Sequence, residues 1–154
     1  MVVRFTHVGI CVADLPRARR FYCEGLGFTQ VSELRISGEP AATLLQMPEV
    51  DLHAVYLERD GMRIELLHYI VPRCSVPESN ARSLNQVGLT HLSMRVDDLH
   101  RTLGDLERVG AATIEHSRIA IPDFNAAAVF VRDPDGTLIE LVQAPGDPAL
   151  PPGA

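Results

Sequence analysis

The sequence predicts an α+β fold: two βαβββ modules forming a curved, cup-like eight-stranded mixed sheet with the helices outside. Two observations carry this. Residues Asp60-Gly61-Met62-Arg63-Ile64-Glu65-Leu66 return as Asp135-Gly136-Thr137-Leu138-Ile139-Glu140-Leu141, and the stretch opening at His7 returns at His91. Each copy also passes from strand periodicity through helical periodicity and back to strand, so the repeating unit is one supersecondary motif. With 154 residues and 46% apolar content, the chain suits a single well-cored domain whose modules share a core. Module one is expected over about 2–70, a linker over 71–87, module two over 88–144 and an irregular tail over 145–154.

Residues 2–12 alternate Val8, Ile10 and Val12 with Phe5, His7, Gly9 and Cys11, the period of a strand. Asp14 then caps a helix with Pro16 in its first turn. Leu15, Ala18, Phe21 or Tyr22, and Leu26 form its apolar stripe, and Gly25 or Gly27 ends it. The same grammar recurs with His91, Asp98, Leu99 and Leu106, and Gly110 closes that helix. His7 and His91 are 84 residues apart but Glu65 and Glu140 only 75, so module one carries nine extra residues between its helix and its last strand. They fall in 29–54, where the segment from Ala42 to Arg59 reads as strands with a break near Pro48.

In each closing strand Ile64 and Leu66, or Ile139 and Leu141, share one face, and Glu65 or Glu140 takes the other. The opening strands place Val8 and Ile10, or Leu92 and Met94, under the helices, with His7 and His91 opposite. The face away from the helices is thus lined by His, Glu, Arg and small residues. Unpaired carboxylates are costly in a core, so this lining describes a site. One imidazole and one carboxylate per module, brought together by a pseudo-two-fold axis, make a set of four metal ligands for one divalent ion such as Ni, Co, Zn, Mn or Fe. Arg63 and Arg95 either meet an anionic small-molecule substrate or pair with the two Glu. Cys11 reads as a small filler, and His53, His68, His100 and His116, which the duplication does not repeat, as surface or loop residues.

Composition excludes other classes. A net charge of −6 disfavours nucleic acid and anionic membrane surfaces. All 14 basic residues are Arg, which removes Schiff-base chemistry and the lysine of phosphate-binding loops; no Gly-x-Ser-x-Gly elbow occurs. Three cysteines without Cys-x-x-Cys spacing suggest neither a disulfide framework nor a thiolate zinc site. No apolar run approaches a membrane span and the N-terminus has no leader pattern, so a soluble cytoplasmic protein is expected.

The stretches THVGICVADLPRARRFYCEGLGF, GMRIELLHY, GLTHLSMRVDDL and VRDPDGTLIELVQ resemble the vicinal oxygen chelate superfamily, which holds glyoxalases, bleomycin resistance proteins and extradiol dioxygenases. The resemblance implies that His7, Glu65, His91 and Glu140 are the metal ligands. It also implies a glyoxalase I-like lyase or isomerase that moves a proton through an enediolate, with Glu140 as base and Glu65 assisting. Extradiol dioxygenases resemble a site with two His and one carboxylate, so Glu65 is one ligand too many for them. Drug-sequestering members lack the metal set. Methylmalonyl-CoA epimerases are similar around IELLHY, yet they carry Gln where Glu65 stands and a further Glu where the sequence register puts Thr43. The Asn-x-Gly segment of glutathione-using glyoxalases is replaced by Leu67-His68-Tyr69-Ile70. Members of this superfamily pair as homodimers, and the same is expected here.

Overall fold

The computed structural model describes residues 1–75 and 83–150, which fall into two compact units, Met1–Glu78 and Ser79–Ala154. The middle of the expected linker, 76–82, and the end of the expected tail, 151–154, lie outside the described residues.

The first unit opens with β1 (Val8–Cys11), shorter than the alternation predicts because only these residues pair, in parallel, with β4 (Met62–Val71). Helix α1 (Leu15–Arg19) starts where expected: the Asp14 carboxylate accepts the Arg17 N–H at 2.9 Å. It widens into a π turn over Arg20–Gly25 that buries the consecutive rings of Phe21 and Tyr22, edge to face at 5.2 Å, so both belong to the stripe. The sheet order is β1-β4-β3-β2, with β2 (Thr29–Ser37) an edge strand carrying Glu33 and Arg35 and a bulge between Gln30 and Ser32. Strand β3 (Asp51–Arg59) joins β4 through Asp60 and Gly61, both at positive φ, as a two-residue hairpin requires.

One segment differs from expectation. Glu39–Leu45, read in part as strand, is helix α2. Gly38 at φ 89° turns the chain, Pro40 suits a first helical turn, and the Ala-Ala-Thr-Leu-Leu run favours helix; Gln46 in the left-handed region ends it. Ala41 and Ala42 pack with Val50, Leu52 and Ala54, flanked by Leu67 and Tyr69. These strand residues alternate with Val55, Leu57, Ile64 and Leu66, on the side that α1 covers. α2 therefore lies on the His/Glu side of the sheet, not outside with α1.

The second unit repeats the plan. β5 (Leu92–Val96) runs parallel to β9 (Leu138–Gln143), which pairs with β8 (Ala126–Arg132). Helix α3 (Leu99–Arg108) is capped by Asp98 at 2.9 Å from the Arg101 N–H and buries Leu99, Leu103 and Leu106. Where module one has the single β2, this unit has β6 (Ala112–Thr113) and β7 (Ile119–Ile121), both on β8, split by a turn at Glu115–Ser117. The Ser117 hydroxyl fills the gap, accepting from the Phe130 N–H at 2.9 Å and donating to the Ile114 carbonyl at 2.7 Å. Among the described residues the two sheets hold four and five strands, nine in place of the expected eight. Among the described residues no helix is long and apolar enough to cross a membrane.

Candidate active site

Each unit brings its own His and Glu together. His7 and His91 stand one residue before β1 and β5, and Glu65 and Glu140 sit in the adjacent parallel strands, opposite Gly9 and Ser93. His7 Nε2 is 3.0 Å from Glu65 Oε2, and His91 Nε2 is 3.7 Å from Glu140 Oε2. The Nδ1 atoms face Thr6 at 3.1 Å and Thr90 at 2.9 Å. A hydroxyl that accepts from Nδ1–H would leave Nε2 free to ligate, the usual outer support of a metal-bound imidazole. The repeated Thr-His dipeptide was the sequence signal for it.

The donor set fits a divalent cation. Two ligands at neighbouring positions about 2.1 Å from one ion lie about 3.0 Å apart, close to the His7–Glu65 separation. Imidazole and carboxylate are both ordinary ligands of such an ion. Among the described residues no three His, Cys, Asp or Glu side chains gather at one point; each unit holds one His–Glu pair.

The two pairs differ in their support. Glu65 is buried at 7% exposure and lies opposite Tyr56 on β3. The Tyr56 hydroxyl is bonded to Glu65, which, with burial and the Glu65 charge, pushes its pKa up to about 12. The Tyr56 ring meets His7 edge-on at 5.4 Å. In the second unit Phe130 takes that place, opposite Glu140 and 5.3 Å from His91, but has no hydroxyl to give. Glu140 instead accepts from Ser93 Oγ at 2.7 Å and keeps 30% of its side chain exposed. The first unit has Gly9 at that position, where a Cβ would stand 3.3 Å from Leu67 Cδ1 and 4.0 Å from Glu65 Oε2.

Neither arginine pairs with the two site carboxylates. Arg63, on the Glu65 side of β4, bonds to Glu58 directly across β3; Arg95 donates to the Ala144 carbonyl at 2.6 Å and the Pro145 carbonyl at 2.5 Å. Cys11 shares the His7 face, and its Sγ lies 3.8 Å from Cys74 Sγ. Tyr69, beside them, is raised above its ordinary pKa by burial first and then by Cys11, Cys74 and Glu65. His53 and His68 are half-buried and face each other across β3 and β4, lining a groove of about 560 Å³ next to α1; they are not loop residues. His100 and His116 are exposed.

Residues 4–141 match the model of the Glyoxalase/Bleomycin resistance protein/Dioxygenase superfamily. The chain belongs to that superfamily. It is 28% identical over 143 residues to human mitochondrial methylmalonyl-CoA epimerase, covering 92% of this chain and 74% of that protein. It is also 28% identical to protein YaeR of Escherichia coli K12, over 89% of this chain and 93% of that protein. Among solved structures, a glyoxalase family protein from Bacillus cereus superposes with a TM-score of 0.79 at 21% identity, covering 95% of this chain and 97% of that one. The fosfomycin resistance protein FosX of Listeria monocytogenes, complexed with Mn(II) and sulfate, gives 0.60 at 13% identity, over 94% and 95%. At these identities the structural likeness is one of fold.

Proposed function

We propose that this superfamily member is a divalent-metal-dependent lyase or isomerase, glyoxalase I-like in chemistry, that moves a proton on the carbon next to a substrate carbonyl. His7, Glu65, His91 and Glu140 are its metal ligands in this reading. The metal, when bound, polarises the carbonyl and acidifies the neighbouring C–H. Thr6 and Thr90 orient the imidazoles, and Tyr56 fixes Glu65 as an anchored carboxylate. Glu140 is the base. What supports this division is the asymmetry of the pair: Glu65 is buried and bonded to a phenol, whereas Glu140 is part-exposed and bonded to one serine hydroxyl. A general base has to change partners during turnover, and the less constrained carboxylate suits that task.

The assay follows deuterium uptake from D2O into a hemithioacetal and a 2-methyl-branched acyl-CoA thioester by NMR. Wild type and Glu65→Gln should exchange the label, the latter more slowly, and Glu140→Gln should lose roughly 100-fold or more while keeping metal. Wild-type exchange in Glu140→Gln would move the base role to Glu65. The acyl-CoA arm addresses a second reading, epimerisation, which the 28% identity to methylmalonyl-CoA epimerase favours. A second base is then needed, and Thr43 does not supply one: it sits in α2 with its hydroxyl given to Glu39 at 2.6 Å. The proposal includes a cytoplasmic homodimer, whose doubled mass light scattering would register and a monomer at micromolar concentration would refute.

A further inference from the structure

Cys11 and Cys74 are 63 residues apart in the chain, yet their sulfurs are 3.8 Å apart, close to van der Waals contact. Cys11 is exposed at the end of β1; Cys74 is half-buried just beyond β4. The Cys74 sulfur is held by the backbone, accepting from the Tyr69 N–H at 3.3 Å and donating to the Val12 carbonyl at 3.2 Å. An accessible cysteine beside a resolving partner is the arrangement of a reversible thiol pair. The proton-transfer chemistry uses neither sulfur, so a role for the pair stands independently of the proposed metal function.

We infer that Cys11 and Cys74 form a dithiol site that hydroperoxides oxidise to an intrachain disulfide. The exposed Cys11 sulfur attacks the peroxide O–O bond, taking one oxygen as a sulfenic acid and releasing an alcohol, or water from hydrogen peroxide. The Cys74 sulfur then attacks the Cys11 sulfur, the S–S bond forms, and the sulfenic oxygen leaves as water. Two thiols and one hydroperoxide thus give one disulfide, one alcohol and one water. The product ties β1 to the chain following β4, beside Tyr69 on the His7/Glu65 side of the sheet. Cys23 is set apart: it lies in the π turn after α1, and burial raises its thiol pKa.

Trypsin separates the three cysteines, because cleavage at Arg places Cys11 in residues 5–17, Cys23 in 21–35 and Cys74 in 74–82. After treatment with equimolar hydrogen peroxide, non-reducing mass spectrometry should find peptides 5–17 and 74–82 joined at about 2 Da below their summed mass, the two hydrogens lost on oxidation. The protein should stay single on a non-reducing gel, with a melting temperature raised by on the order of 5 °C, reversed by dithiothreitol. Cys23→Ser should form the link at the wild-type level. Cys74→Ser should leave a Cys11 sulfenic acid trappable by dimedone, a product expected only if Cys11 reacts first. Separate recovery of the two peptides as thiols or sulfinic acids would overturn the inference, as would a link seen only in a covalent dimer.

Discussion

At the scale of single residues, the duplication is imperfect where it matters. Tyr56 and Phe130 hold the same place, opposite the site Glu and edge-on to the site His, but only Tyr56 carries a hydroxyl. Tyr56→Phe should therefore turn the first unit into a copy of the second. Its tyrosine pKa is raised above the unfolded value of about 10, so the bond to Glu65 stabilises the fold fully below about pH 10 and is lost as pH rises through about 12. Ultraviolet titration of the metal-free protein should show one phenol ionising near pH 12 that Tyr56→Phe removes. Chemical denaturation at about pH 8 should show a loss of about 1–2 kcal/mol, and no loss would mean that the hydroxyl leaves Glu65 unsupported. The pairing of one His with one Glu in each unit was legible because each of these residues repeats with its neighbours. Tyr56 was not, since Glu65 follows Tyr56 by nine positions but Glu140 follows Phe130 by ten, so Phe130 comes 74 positions after Tyr56 while the two Glu are 75 apart.

At the scale of elements, what sequence reads well is what local chemistry decides. Asp14 and Asp98 cap their helices as a carboxylate before an apolar stripe should. Asp98→Ala should cost about 1 kcal/mol, seen as a lower urea midpoint at constant slope. An unchanged midpoint would mean that solvent satisfies the Arg101 N–H equally well. α2 was missed because a short apolar run shows no period, and its helical state arises from Gly38, Pro40 and the packing of Ala41 and Ala42 on Leu52 and Ala54. The split of the β2 counterpart into β6 and β7 was equally hidden. It depends on one serine, Ser117, serving the backbone on both sides of the break.

At the scale of the whole molecule, one His–Glu pair is given twice. Within each unit a parallel strand pair places an imidazole beside a carboxylate, and a Thr hydroxyl lies within hydrogen-bond distance of the other ring nitrogen. In the proposed function one divalent metal is held by both pairs. Removing either unit's imidazole should then damage the same centre, which a structural role for one of the two histidines would not do. Elemental analysis of purified wild type, His7→Ala and His91→Ala tests this most directly. A shared metal centre predicts about one divalent ion per His/Glu/His/Glu set in the wild type and severe loss in both variants, each remaining folded by circular dichroism. Undiminished metal in both variants would contradict it and leave a metal-free binding module as the better description.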